Sequence, residues 1–204
     1  MSHKHREIAF RLIRLLWSHT TLLTILLITS VGLNVLLAQK VKKLTAVLQV
    51  KLKYPVLMPG SQAPPFAAQN IEGKLVNLDY NANQSTVLYV FSPDCHWCAE
   101  NLDNIVSLAE RAGDRYRFIG VSLRTEGLDE YLAHTHLPFP IYHSPPDTVR
   151  AAYDFRSTPS TIVIGNDGKV LKYWQGAYAS ELQPEVEGFF QLRLPGLVKS
   201  VSKL

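Results

Sequence analysis

Cysteine is scarce in this chain: 204 residues hold two of them, Cys95 and Cys98. Two thiols cannot build the disulfide framework that stabilises a small secreted domain, but they can form one working pair. Charge is missing from one stretch altogether, since no Asp, Glu, Lys or Arg occurs from Leu15 to Gln39. Acidic side chains are nearly missing from the first 53 residues, where Glu7 stands against nine Lys and Arg. The remainder carries 12 basic and 16 acidic residues, so the formal charge of +4 belongs to the stem. An acidic main domain of this kind gives no electrostatic footprint for nucleic acid, and none is expected as a partner.

The uncharged stretch is dominated by Leu, Ile and Val, among them Leu22, Leu23, Ile25, Leu26, Leu27, Ile28, Val31, Leu33, Val35, Leu36 and Leu37. As a helix rising about 1.5 Å per residue, such a segment exceeds a hydrocarbon core of roughly 30 Å and spans it with some tilt. A cleaved signal peptide is the competing reading. It calls for a shorter apolar core and small residues at the cleavage site, whereas Leu36 stands two positions before Ala38. A buried soluble helix would need an apolar partner segment of similar length, and the chain has none. An uncleaved anchor is therefore expected. Arg6, Arg11 and Arg14 on one flank are balanced by Lys40, Lys42 and Lys43 on the other, so the positive-inside rule alone does not orient it. A cytoplasmic N-terminus is expected because short leaders before a single anchor commonly stay inside. A dithiol domain also has work in an oxidising compartment.

Beyond the anchor, Val41, Leu44, Val47 and Leu48 recur at helical spacing among lysines. A solvated stalk whose lysines meet lipid headgroups is expected there. A short dimerising coil is the alternative, and Lys51 at the next core position of the heptad argues against it. The prolines of Tyr54-Pro-Val-Leu-Met-Pro-Gly-Ser-Gln-Ala-Pro-Pro then mark an extended linker.

Past Pro65, strand and helix patterns alternate. Phe66–Gln69 and Leu75–Leu78 flank a turn, and Thr86–Phe91 is a continuous apolar strand of the type buried on both faces. Cys98, Leu102, Ile105, Val106 and Ala109 share a helix face ending near Gly113. Strands are expected at Arg117–Leu123 and Phe139–Tyr142, with helices at Leu128–His134 and Asp147–Tyr153. Thr161–Ile164 and Lys169–Trp174 surround Gly165-Asn-Asp-Gly, a hairpin signal. Glu181–Gln191 reads as a closing helix. This pattern implies an α/β domain with a mixed central sheet covered on both faces.

The two cysteines sit where the strand ending at Phe91 gives way to the helix, in Ser92-Pro-Asp-Cys-His-Trp-Cys. Backbone N–H groups at a helix start favour a thiolate over a thiol. A thiolate attacks disulfides, and a second thiol two residues on resolves the mixed disulfide that results. A bridge across so short a loop constrains little of the unfolded chain, so it is a poor staple. Cys95 is read as the attacking sulfur and Cys98 as the resolving one. His96, if protonated, would stabilise the Cys95 thiolate; Trp97 would shape a docking surface or simply pack. Asp94 is expected to cap the helix.

Four segments resemble the thioredoxin fold and, in detail, the membrane-anchored TlpA/ResA-type redoxin group of bacterial thiol-disulfide proteins. They are Gly60-Ser-Gln-Ala-Pro-Pro-Phe with Gly73-Lys-Leu-Val-Asn-Leu, the strand leading into Cys95-His-Trp-Cys98, Ser157-Thr-Pro-Ser-Thr-Ile-Val-Ile, and the hairpin ending at Trp174-Gln-Gly176. About 60 residues separate Cys98 from Pro159, room for the extra central helix and strand of that group. The resemblance implies that Pro159 is the cis-proline facing the cysteines, and that the Thr158 backbone pairs with a bound peptide as an added strand. It implies protein dithiol or disulfide substrates, a membrane reductant or oxidant as redox partner, and no cofactor or resident metal. Residence in the bacterial inner membrane follows, with the domain outside the cytoplasm.

Three positions depart from the pattern of such proteins. Tyr89 stands where thioredoxin keeps a buried acid, Asn101 where some relatives carry glutamate, and Asp94 where tryptophan is usual. Glu100 is the nearest downstream carboxylate, placed to face solvent. A copper chaperone of the Sco type is the alternative, with His134, His136 or His143 joining the cysteines; those proteins use wider cysteine spacing, and a closed zinc site needs four protein ligands. A redox-inactive scaffold is the other. The expected organisation is a cytoplasmic N-terminus over 1–14, an anchor over 15–39, a helical stalk and linker over 40–57, a thioredoxin-like domain over 58–194 and a tail over 195–204.

Overall fold

The computed structural model of the chain describes residues 21–45, 57–80 and 83–197, in two compact units divided after Gln49. The first contains helix α1 (Thr21–Thr45), 25 residues long and nowhere buried within the protein. At about 1.5 Å per residue it is long enough to cross a bilayer. It runs without a break from the apolar stretch through Lys40, Lys42 and Lys43. Residues 15–20 of the expected anchor and 46–56 of the expected stalk and linker lie outside the described residues.

The second unit is built on seven strands: β1 (Phe66–Asn70), β2 (Leu75–Leu78), β3 (Ser85–Phe91), β4 (Tyr116–Ser122), β5 (Ile141–His143), β6 (Ser160–Ile164) and β7 (Val170–Gln175). Their order in the sheet is β2-β1-β5-β4-β3-β6-β7. The pairs β3–β4 and β4–β5 are parallel, and β6 runs antiparallel to β3 with Val90 opposite Ser160. Between the strands lie α2 (His96–Glu100), α3 (Leu102–Ala112), α4 (Leu128–His134) and α5 (Asp147–Ala152), and α6 (Leu182–Phe190) follows β7.

β3 has no polar face because both of its faces are covered. Val87, Tyr89 and Phe91 enter one core with Ile105, Leu108, Val186 and Phe190 of α3 and α6. Leu88 and Val90 enter the other with Ala152, Tyr153 and the entry segment at Leu57 and Ala63. Successive side chains of a strand point to opposite faces, so an uninterrupted apolar run is what a doubly covered strand requires. In β4, Gly120 is a close-approach position: a Cβ there would run into the Ile141 and Phe139 side chains. This α/β sandwich with a long apolar N-terminal helix is the thioredoxin-like architecture expected from the sequence.

Several boundaries differ. β4 begins at Tyr116, and β5 covers Ile141–His143 instead of Phe139–Tyr142, because Pro140 has no N–H and its carbonyl instead accepts from Gly120. The helix expected from the cysteines to Gly113 is interrupted at Asn101, whose side chain is engaged elsewhere. The packed chain also continues past α6: Leu194 is buried, and the Gly196 N–H donates to Asn104 Oδ1 at 2.9 Å.

Glu187 fastens that segment. Its carboxylate accepts from the Leu194 N–H, from Gln183 and from Arg193, and these bonds, led by the Leu194 one, hold its pKa below the usual range. A depressed folded-state pKa contributes stability above the unfolded value, about 4.3, and loses it as pH falls through the folded value. Thermal melts of Glu187→Gln and the parent chain are therefore expected to differ near neutrality and to converge as pH falls below about 4.

Candidate active site

The reactive segment starts where β3 ends. The Cys95 N–H donates back to the Ser92 carbonyl at 3.1 Å, closing a turn through Pro93 that launches α2. Cys95 is itself the N-cap of that helix, with φ −84° and ψ 109°. Its sulfur accepts the Cys98 N–H at 3.1 Å. A group normally supplied by Ser, Thr, Asp or Asn is here supplied by sulfur. Asp94, expected as the cap, is engaged elsewhere: it accepts from Ser92 Oγ and lies 2.7 Å from Arg124 Nη1. The Ser92 hydrogen bond first, with Arg124 added, holds the Asp94 carboxyl below its usual range.

Cys95 and Cys98 are joined as a disulfide with their Cα atoms 5.2 Å apart. Their surroundings differ sharply: Cys95 is half-buried, whereas Cys98 is fully buried in the core that includes Tyr89 and Ile105. The antiparallel pairing of β6 with β3 brings the start of β6 beside the end of β3. The Thr158–Pro159 peptide is cis, and the Thr158 carbonyl oxygen lies 3.4 Å from Cys95 Sγ. Pro159 is buried, and its carbonyl accepts the Gly176 N–H at 2.8 Å, which fixes the loop to the end of β7. Cys95, Cys98, Thr158 and Pro159 thus form one cluster.

His96 and Trp97 stand outside it on the exposed face of α2. Their ring centroids are 5.5 Å apart, and the indole is 53% exposed. Glu100 does not face solvent as expected: its side chain is 14% exposed, with a carboxylate oxygen 3.1 Å from His96 Nε2.

The core that holds Cys98 also contains uncharged polar groups drawn from distant parts of the chain. Asn101 is fully buried, and its Oδ1 accepts both the Tyr178 N–H at 2.9 Å and Asn104 Nδ2 at 3.1 Å. Tyr178 Oη shares a 2.7 Å hydrogen bond with Thr161 Oγ1. Burial above all, with the Tyr178 and Tyr131 hydroxyls beside it, pushes the Tyr89 hydroxyl far above the ordinary phenol range. Tyr89 is therefore neutral at any working pH, and the place of the buried acid is taken by a group that holds its proton.

Arg124 was also missed, since nothing in its spacing ties it to Asp94. It bridges Asp94 and Glu126, the latter at 3.3 Å, on the rim of a cleft of about 290 Å³ that Pro93, Glu130, Tyr131 and His134 help to line. Arg124 offsets a negative charge one residue from Cys95. Arg124→Gln is expected to slow iodoacetamide alkylation of reduced Cys95 about two- to fivefold at neutral pH, because the bare Asp94 carboxylate disfavours the thiolate. The difference should shrink at high salt, as befits exposed charges.

Two of the three candidate metal-ligating histidines, His134 and His143, have local partners. His134 Nδ1 is 2.7 Å from the Glu130 carbonyl, and His143 Nδ1 is 3.0 Å from Ser144 Oγ. Among the described residues no three His, Cys, Asp or Glu groups are arranged to hold a metal ion.

Comparison with known proteins agrees with this geometry. The model of the AhpC/TSA family matches residues 59–173. Among solved structures, a protein described as a thiol:disulfide interchange protein DsbE from Chlorobium tepidum superposes with a TM-score of 0.58 at 20% identity, over 66% of this chain and 97% of that one. The thioredoxin domain of a thiol-disulfide oxidoreductase from Bacteroides vulgatus gives 0.56 at 20% identity, over 66% and 99%. An uncharacterized conserved protein from Geobacillus kaustophilus gives 0.53 at 25% identity, over 60% and 71%. Likeness at these identities establishes the thioredoxin-like fold. No curated protein sequence matches the chain significantly.

Proposed function

The chain belongs to the AhpC/TSA family and is a thioredoxin-like oxidoreductase, and from that premise we propose a membrane-anchored enzyme that exchanges disulfides with protein partners outside the cytoplasm. The observation that carries this reading is the asymmetry of the pair. One sulfur is half-open at a helix start and held by a backbone N–H at 3.1 Å, while the other is sealed beneath it.

In the reducing direction the Cys95 thiolate attacks a client disulfide. A Cys95–client bond forms and the second client sulfur leaves as a thiolate. Cys98, deprotonated, then attacks Cys95 Sγ, closing the intramolecular disulfide and releasing the first client sulfur. Two electrons pass to the client, and the two protons of the dithiol are returned to the medium or to the client thiolates. The same steps reversed oxidise a client dithiol. Thr158 offers its backbone to an extended client segment, and exposed Trp97 supplies an apolar contact beside it.

Helix α1 supports single-pass membrane residence; placement in the bacterial inner membrane with the N-terminus inside is proposed from the work a dithiol domain has in an oxidising compartment. A membrane reductant would then re-reduce the disulfide. Clients of the type implied by the family resemblance are apocytochrome c cysteines or a metal-centre assembly partner. The midpoint potential of the Cys95–Cys98 couple against glutathione decides direction. A value near about −270 mV or below makes the protein a reductant, and one near about −120 mV an oxidant. A dithiol that neither equilibrates with glutathione nor accelerates insulin reduction would overturn the assignment.

A further inference from the structure

Between Thr21 and Ala38 helix α1 carries one carboxamide, Asn34, and it has a hydrogen-bonding surplus. The threonines return their hydroxyls to their own helix: Thr24 to the Thr21 carbonyl, Thr29 to those of Ile25 and Leu26, Thr45 to that of Val41. Asn34 does so only in part. One amide N–H reaches the Ser30 carbonyl at 2.8 Å; its second N–H and the lone pairs of Oδ1 exceed what that single bond uses. In hydrocarbon such groups are costly unless a neighbouring helix supplies partners.

The residues around Asn34 continue a seam. Leu23, Leu27, Ser30, Asn34, Leu37, Val41 and Leu44 follow one another at alternating steps of four and three within the described helix. That is the spacing of the core positions of a left-handed helix pair. Within the apolar stretch most positions would satisfy it. The discriminating part is beyond, where charge begins: Lys40, Lys42 and Lys43 all fall off the seam, while Val41 and Leu44 stay on it. Continued in the same steps the register reaches Lys51, so the pairing is confined to the anchor and does not extend through the stalk.

Resting on the reading of α1 as an anchor, we propose that this face pairs with α1 of a second copy of the chain, in parallel, with the two Asn34 amides hydrogen-bonded across a two-fold axis. A second copy fits best because the same insertion brings its Asn34 to the same depth. A carboxamide is both donor and acceptor, so it is complementary to itself, as a two-fold interface requires. Ser30, one turn away on the seam, is small enough for the backbones to approach. The pairing would place two reactive domains on one assembly, each with its own disulfide.

The full chain, reconstituted in lipid vesicles, is first tested for resistance to alkaline carbonate extraction. It is then followed by sedimentation equilibrium in density-matched detergent as the parent, Asn34→Leu and Asn34→Gln. A carbonate-resistant dimer is expected, weakened about five- to thirtyfold by Asn34→Leu and largely kept by Asn34→Gln. A carbonate-resistant chain that is monomeric, or an Asn34→Leu chain that dimerises as tightly as the parent, overturns the pairing and leaves the anchor intact. Extraction by carbonate overturns the anchor itself.

Discussion

Cys95→Ser is expected to lower dithiol-dependent insulin reduction by about a thousandfold or more, to the rate of the small-molecule thiol alone. Serine keeps the size and the helix-capping role of the side chain but is not ionised at neutral pH, so the attacking group is lost while the fold stays. Cys98→Ser should behave differently. Attack by Cys95 remains possible because its sulfur is the half-open one, but nothing then resolves the product, and mixed disulfides with clients should accumulate as higher bands on non-reducing gels. The contrast follows from burial: Cys98 is sealed while Cys95 is not. A Cys95→Ser chain that keeps its turnover, or a Cys98→Ser chain that traps nothing while Cys95→Ser does, would reverse the assignment of roles.

The second large effect concerns stability. Asn101→Ala removes the acceptor of two buried donors, the Tyr178 N–H and Asn104 Nδ2. Each buried donor left without a partner costs about 1–3 kcal/mol, and the vacated volume adds to that. A total near 3 kcal/mol is expected, which lowers Tm by about 10 °C for a domain of this size. Asn104→Ala is the control. It loses the bond to Gly196 N–H and its own bond to Asn101 but leaves Tyr178 N–H satisfied, so its melting temperature should fall by less. Because Asn101 lies between α2 and α3, the same substitution is expected to loosen the helix that carries Cys98 as well.

Much of the fold was legible because the signals were local. The uncharged run preceding Lys40 and the doubly apolar strand before Cys95 are one-dimensional patterns, and helix and strand periods follow from them directly. The hairpin at Gly165-Asn-Asp-Gly was readable for the same reason, since Gly168 adopts a φ of +78° that few other residues accept. The cysteine pair announced its chemistry by spacing and by its place between strand and helix.

What was not legible depends on chain reversal. Asn101 reads as an ordinary helix residue until Tyr178, 77 positions on, presents its N–H. Arg124 meets Asp94 only because parallel pairing of β3 and β4 brings the ends of both strands together. Statistics favour the carboxylate before the cysteine as the cap, whereas Arg124 and Ser92 compete for it and leave sulfur to receive the N–H. Helix and strand ends shifted by one to two residues, the margin within which hydrogen bonding at element ends sets a boundary.

The antiparallel ladder from Thr86↔Ile164 to Val90↔Ser160 has a consequence for how such a protein diversifies. It clamps the cysteine turn and the proline turn to one end of the same pair of strands, independently of what the intervening excursion looks like at its margins. Residues grafted into the loops around α4 would redraw the rim of the cleft beside Asp94 without altering the spacing of sulfur and carbonyl. Loop substitutions there can therefore change what docks beside the disulfide while leaving the geometry of sulfur and carbonyl as it is.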